Sequence, residues 1–200
     1  KLLGSKWGPS QLKGTSGGIV TFSFPTQNIE GHEHEFDSFM SDPIFQAEVM
    51  EGFSAWENLA NIKFLELPDS EAIDIRIGWK DIDGENGILG AATLPSAGPL
   101  ESVTIALDQN EEWFVGGDAP ADKLDFSAVI THEIGHAIGI DHPDFSGTLM
   151  SAGYNPEILT IQPDDQDAVV EIYGENTIVK SEVYRFFNPD AGGHFFTTDL

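Results

Sequence analysis

THEIGHAIGIDHP, residues 131–143, contains more chemical information than any other segment of this chain. Its His132 and His136 are four residues apart, so on a helix they project from one face about one turn from each other. Gly139 can adopt a left-handed conformation that turns the chain out of the helix and brings His142 back toward the same point. Three neutral imidazoles suit a single Zn²⁺ whose fourth position is left for water. An open position of this kind is typical of a catalytic zinc site.

Glu133 directly follows the first histidine, so it lies beside the metal rather than on it. Its carboxylate can take a proton from a zinc-activated water that attacks a carbonyl group, which is general-base catalysis. The alternative is that the histidines are ordinary residues aligned by chance. With this composition, chance produces the pattern HExxHxxGxxH in roughly 5 of 100,000 chains of this length. We therefore favour a catalytic site with one zinc ion.

Hydrophobic periodicity predicts the elements on both sides of this motif. Residues 19–24, IVTFSF, alternate as in a strand, and Asp42-Pro43 starts a helix whose apolar residues recur at threes and fours as far as Ala60. Later elements are predicted as strands at 62–64, 73–79 and 103–107, a helix over 126–138, and a helix between Pro163 and Gly174.

Composition limits the possible partners. The 200 residues are 40% hydrophobic, which is enough for a real core, and they include no cysteine, so any zinc must bind histidine and carboxylate.

The net charge of -25 would repel nucleic acid and anionic lipid surfaces, and no apolar run approaches the roughly 18 residues of a membrane span. We expect no nucleic-acid partner and no membrane span, and we interpret the chain as a mature or trimmed one. The carboxylate excess suits a salty medium, basic substrates or bound calcium, and counting does not separate these three.

HEIGHAIGIDH, residues 132–142, resembles the extended zinc signature of the metzincin clan of metallopeptidases, which also carry a methionine-containing turn beneath the metal. Thr148–Ser151 is similar to that turn, with Met150 as its methionine. A buried thioether fills an irregular space beneath imidazoles without competing as a strong zinc ligand.

Within the clan, the resemblance is divided between two families. Pro143 and the opening KWG…VTFSFP resemble the serralysins. The short spacing from His142 to Met150, Tyr154 four places further on, and the LTIQPDDQDAVVEIYG helix resemble the matrixins, or matrix metalloproteinases. Serralysins hold a further tyrosine ligand where this chain has Ala152, so we expect three protein ligands on zinc, with Tyr154 in the wall of the specificity pocket.

The segment DGENGIL, residues 83–89, and the later segment 107–111 are similar to the pair of segments that wraps a structural calcium in matrixins. An acidic, solvated hairpin is the alternative. Matrixins also bind a second zinc with histidines in this region, but Ala91 and Ala106 occupy two of those positions, so we predict that this second zinc site is absent. The resemblance implies one or more calcium ions held by the carboxylates of Asp83, Asp108 and Glu111 and the carbonyls of Gly84, Asn86 and Ile88.

We predict an α+β fold of the metzincin, or zincin-like, type. A twisted, mostly parallel five-stranded sheet would carry two helices above the cleft, and an irregular lower subdomain would carry one helix. Residues 1–174 would form the catalytic domain, 175–180 a linker, and 181–200 the incomplete start of a C-terminal module like those appended to bacterial secreted hydrolases. His32 and His34 are two residues apart and could share one face of an extended segment, but they lack a local third ligand, so we favour a solvated polar loop over a metal site there. His194 lies in an aromatic-rich segment whose rings we expect to build a small core rather than a sugar-stacking surface.

The predicted function is that of a secreted, monomeric zinc endopeptidase acting on protein or peptide substrates. An extended substrate would pair with an edge strand near Leu89–Thr93, which would align its scissile carbonyl with the zinc. The alternative is a non-proteolytic, zinc-containing adhesion or targeting module, although a purely structural zinc needs no adjacent base and normally has four protein ligands.

Overall fold

The fold is built on a five-stranded sheet in this computed structural model, which describes residues 1–29, 35–94, 98–116, 119–120, 123–176, 184–188 and 193–197. Its strands are β1 (Gly18–Ser23), β2 (Ile62–Glu66), β3 (Ile75–Lys80), β4 (Gly90–Thr93) and β5 (Val103–Asp108). The order is β2-β1-β3-β5-β4, with β4 antiparallel to β5 and the other pairs parallel. The predicted mostly parallel sheet is confirmed, and β4 lies at its edge.

Three helices complete the domain: α1 (Pro43–Glu57), α2 (Phe126–Ala137) and α3 (Pro163–Tyr173). The side chain of Asp42 caps α1 by accepting the Ile44 amide at 2.9 Å, and Asp125 caps α2 by accepting the Ala128 amide at 2.8 Å. The α1 and α2 helices pack against each other, and the Trp56 indole of α1 donates to the Thr131 carbonyl of α2 at 2.9 Å. This contact joins the helix that carries the histidine motif to the body of the protein.

The core lies between the sheet and these two helices. Phe22 of β1 stacks on Phe53 of α1 with ring centroids 4.3 Å apart. Removing such side chains from water stabilises the fold by about 1.5–3 kcal/mol each. The other members are apolar residues from every layer, including Val20, Ile75, Ile77, Ile105, Leu107, Ile130 and Ile134.

Several element boundaries differ from the sequence predictions. The first helix ends at Glu57, so Ala60 lies beyond it, and Ile73 is buried but precedes β3. The segment between the strand predicted at 103–107 and the helix predicted at 126–138 contains two short parallel strands, β6 (Trp113–Phe114) and β7 (Leu124–Asp125). Two-residue strands show no periodicity, so the pattern could not predict them.

Two further strands, β8 (Tyr184–Asn188) and β9 (Gly193–Thr197), pair antiparallel in the C-terminal segment. Of His194, in β9, only the backbone is described, and His32 and His34 lie outside the described residues. No helix within the described ranges has the length and apolar character needed to cross a bilayer.

Candidate metal centre

The three histidines of the motif converge. The Nε2 atom of His142 lies 3.1 Å from Nε2 of His132 and 2.9 Å from Nε2 of His136. Nitrogens on a tetrahedral zinc at 2.0–2.1 Å would be roughly 3.3 Å apart, so small ring movements would accommodate the ion. Among the described residues, these three form the single cluster of histidine or carboxylate side chains close enough to share a metal.

Backbone carbonyls orient two of the rings. The Nδ1 atom of His132 lies 2.7 Å from the Leu149 carbonyl oxygen, and Nδ1 of His136 lies 2.8 Å from that of Ile140. Since a carbonyl can only accept, each Nδ1 carries the proton and each Nε2 presents a lone pair to the centre. Burial lowers the pKa of His136 to about 4 and also lowers that of His132, so both rings are neutral at neutral pH. Neutral imidazole is the form that binds zinc.

The turn that returns His142 to the other two histidines depends on Gly139, whose φ is 97°. A side chain there would be strained by the backbone and would also collide with the Ser5 carbonyl oxygen. The last carbonyls of α2 find side-chain donors: the Trp7 indole reaches Ala137 at 2.8 Å, and the Tyr173 hydroxyl reaches Ile138 at 2.9 Å. These bonds satisfy acceptors that a helix end otherwise leaves unpaired.

Met150 is buried, and its sulfur packs over Gly135, which lies between His132 and His136 on α2, so closely that a Cβ at that glycine would overlap it. The turn around Met150 is held by Asp165 of α3, whose carboxylate accepts the amides of Leu149 at 2.8 Å and Met150 at 3.2 Å. Since the Leu149 carbonyl orients His132, Asp165 acts on the metal centre through the turn. Sequence reasoning missed Asp165, because an acidic residue in a first helical turn is ordinary.

Glu133 is 5% exposed and packs against β4, where a Cβ at Gly90 would come within 3.1 Å of its side chain. Its Oε2 atom is buried without a partner. Burial raises the pKa of Glu133 to about 8, because removal from water disfavours the charged carboxylate. A carboxyl group with an unused oxygen beside three converging imidazoles is a candidate acid or base.

A cleft of about 780 Å³ passes over these groups and is large enough for a peptide. Residues of β4 line its upper side and the three histidines its floor. Tyr154 lines it with Leu124 and Val129, and the Tyr154 hydroxyl accepts the Asp125 amide at 3.0 Å. Tyr154 thus lies in the wall of the cleft, and its assignment to a specificity pocket stays a prediction.

The candidate calcium residues are adjacent, but their carboxylates contact backbone amides. One oxygen of Asp108 accepts the amides of Asp83 and Gly84 at 3.1 Å each, and Glu111 accepts the Gly87 amide at 3.2 Å. The Asp83 carboxylate accepts the Ile88 amide at 2.8 Å. In the described part of the chain, these three carboxylates do not gather as closely as the histidines do. The calcium ligand set, including Asn86, therefore stays a prediction.

Ala91 of β4 and Ala106 of β5 are cross-strand neighbours. Their methyl groups offer no donor atom to a metal at the two positions where matrixins have histidines. The absence of a second zinc also stays a prediction.

Sequence comparison finds a matching family model and several similar known proteins. The Matrixin family model matches residues 18–174. Karilysin from Tannerella forsythia is 27% identical over 182 residues, covering 86% of this chain and 34% of karilysin. Human matrix metalloproteinase-26 is 29% identical over 163 residues, covering 75% and 58% of the two chains. Human stromelysin-3 is 31% identical over 150 residues, covering 71% and 30%. The chain thus spans between about a third and three fifths of the length of these relatives.

Proposed function

The chain belongs to the matrixin family of metallopeptidases, and on that premise we propose that it is a secreted, zinc-dependent endopeptidase that hydrolyses protein or peptide substrates. The observation that carries the proposal is the convergence of three inward-facing Nε2 atoms beside a buried glutamate with an unpartnered oxygen. A cluster of histidines without the glutamate, or a buried glutamate without the histidines, has a purely structural explanation. Together they supply a metal site and a base in one cleft.

His132, His136 and His142 would hold the zinc. The donor set fits this ion, because neutral imidazoles are suitable zinc ligands and two of them are fixed by carbonyl groups behind the ring. Met150 would support the rings from below without acting as a ligand. When bound, zinc supplies a Lewis acid that polarises the scissile carbonyl and makes water more acidic.

Glu133 would move the proton. As a carboxylate it takes a proton from the attacking water, and as the resulting carboxylic acid it gives that proton to the leaving nitrogen. Its buried position keeps bulk water from competing for the same proton. Its side chain packs against Gly90, which positions the carboxyl group relative to β4.

The substrate would lie along β4. This strand pairs with β5 on one side only, so its other edge offers backbone groups to an extended peptide. A peptide bound there would run above Glu133 and would place one side chain in the recess beside Tyr154. Leu124 and Val129 line the same cleft as Tyr154, so we expect an apolar substrate residue there.

A non-proteolytic adhesion or targeting module is the remaining alternative, and replacement of Glu133 separates the two. We expect Glu133→Ala to lower casein cleavage by at least about 100-fold, because general acid–base catalysis contributes roughly 10²–10⁴-fold. Glu101→Ala is the matched control, since Glu101 is an exposed glutamate ahead of β5. Equal digestion by the parent protein and the Glu133 variant would refute the catalytic role. A parent protein that binds zinc but digests nothing would favour the adhesion module.

The proposal also covers the domain boundaries, the cellular location and the calcium site. Residues 1–174 are the catalytic domain, 175–180 a linker and 181–200 the start of another module, and the enzyme acts as a monomer outside the cell. One or more calcium ions bind the loop of Asp83 and the carboxylates of Asp108 and Glu111. The existing hydrogen bonds between this loop and β5 support the calcium site, because they already bring its carboxylates to one side of the sheet.

A further inference from the structure

The cleft has a second end, formed by a segment far from the histidine motif in sequence. Leu2 makes an antiparallel bridge with Ile140, and the Leu3 amide donates to the Gly139 carbonyl at 2.9 Å. The Asp141 amide donates to the Lys1 carbonyl at 2.9 Å. Residues 1–3 therefore run as a strand-like segment along the turn that carries His142.

This arrangement places Leu3 in the wall of the cleft. Its side chain is 38% exposed, and it lines the same cavity as His142 and Asp141. Its charged neighbours contact each other: Lys1 pairs with Asp141 at 3.0 Å, and the other Asp141 oxygen accepts the His142 amide at 2.8 Å. Asp144 also acts on Lys1, so Leu3 contributes an apolar side chain beside an ion pair and a further carboxylate.

The Leu3 end and the Tyr154 end are separated by the length of α2. Tyr154 contacts Asp125, the N-cap of α2, whereas Leu3 contacts Gly139, just beyond its C-terminal end. The 12 residues of α2 span about 18 Å, and His132 and His136 lie between these two contacts. An extended peptide covers that distance with about five or six residues.

We infer that Leu3 is a specificity-determining residue that contacts an apolar substrate side chain, two or three residues from the scissile bond and on the side away from the Tyr154 recess. This inference rests on the proposed peptidase function and adds a substrate preference to it. A single exposed leucine is ordinary on a protein surface. The difference here is that backbone hydrogen bonds fix Leu3 at the edge of the cleft.

The test compares Leu3→Ala with Leu12→Ala, because Leu12 is a leucine of the same leading segment that is 73% exposed and does not line the cleft. One peptide is made in versions that carry Leu, Ala or Glu at each of the three positions on either side of the scissile bond. For the parent and for Leu12→Ala, we expect kcat/KM to favour Leu over Ala by about tenfold at one position on the far side, because one well-packed apolar contact is worth that much. In Leu3→Ala this ratio should fall to about twofold or less, with zinc content unchanged.

The same peptides are also measured by fluorescence anisotropy for binding in the Glu133→Ala background, where cleavage does not interfere. If the parent protein with Glu133 intact cleaves none of these peptides while the binding ratio still depends on Leu3, the proposed peptidase function is refuted and this contact is supported. An unchanged ratio in Leu3→Ala, or a loss of selectivity at all positions together with loss of zinc, would overturn the assignment of Leu3.

Discussion

Glu133 combines deep burial with an unpartnered oxygen, and the neighbouring Ala92 amide offsets only part of the cost of burying its charge. Its pKa in the folded protein, about 8, is above the ordinary value of 4.5, so the folded state holds the proton more tightly than the unfolded state. The stability contributed by the protonated form is therefore fully present below about pH 4.5 and is lost as the pH rises through about 8.

Glu133→Gln should remove this pH dependence in the metal-free protein. We expect parent and variant to be closest in stability near pH 4.5, and the parent to become progressively less stable than the variant as the pH approaches 8. Urea unfolding of both proteins across this range, with chelator present, measures the difference, and shared titrations cancel in the comparison. If the free energies of unfolding of the parent and the variant differ by the same amount at every pH, Glu133 is not a buried ionisable group.

Gly135 lies between the two helical histidines at a point where Met150 and Trp56 leave no room for a Cβ. Gly135→Ala should therefore destabilise the protein by about 1–3 kcal/mol, as overpacking of a well-packed core does. Gly153→Ala is the control, since Gly153 has ordinary backbone angles and open space around its Cβ direction. Urea unfolding of zinc-loaded proteins compares the two, and equal stability of both variants would show that the packing under the histidines is looser than described.

At the scale of elements, the turn of Met150 and helix α3 form one unit. Asp165, in the first turn of α3, accepts amides from Leu149, Met150 and Gln162, and it is 2% exposed. Removing this acceptor leaves buried amides unpaired, at about 1–3 kcal/mol for each group. The displaced Leu149 carbonyl would also release the ring of His132.

Asp165→Ala should therefore lower the melting temperature by about 5–10 °C and weaken zinc binding about tenfold. Asp164→Ala is the matched control, because its exposed carboxylate lies in the same helical turn and has the same favourable position relative to the helix dipole. Calorimetry and competition with a zinc-binding dye give the two values. Equal effects of both substitutions would mean that α3 needs charge at its start rather than an anchor for the turn.

The sequence predicted the elements whose caps, periodicity and motif residues lie close together along the chain. The α2 helix combines an Asp125 cap, helical periodicity and histidines four residues apart, all of which are visible in a dozen residues. The bond from Asp165 to Leu149 joins residues 16 positions apart across an irregular loop, so no periodic pattern reveals it. The contact of Leu3 with Gly139 joins more distant segments still. Convergence of the histidines followed from one helix and one glycine turn, whereas the groups that hold them depend on tertiary structure.

At the scale of the whole molecule, the net charge of -25 is a source of repulsion that bound cations and dissolved salt both reduce. A calcium site would act differently from salt, because it stabilises only the folded state and only through a particular set of oxygens. The candidate loop lies between β3 and β4 and is tied to β5 through Asp108. An ion there would therefore stabilise the strands next to the cleft.

We expect millimolar calcium to raise the melting temperature by about 5–10 °C. A site saturated at about 100 times its Kd stabilises the folded state by about 2.7 kcal/mol, and each kcal/mol moves the transition by about 2–4 °C in a chain of this size. Magnesium and sodium chloride at equal ionic strength measure the contribution of general screening, since magnesium demands a smaller octahedral site. Asp83→Asn should reduce the calcium-specific increment while leaving the sodium chloride response unchanged. If magnesium raises the melting temperature of the parent as much as calcium does, the acidic loop is a solvated hairpin, and the carboxylate excess of this chain acts only through its total charge.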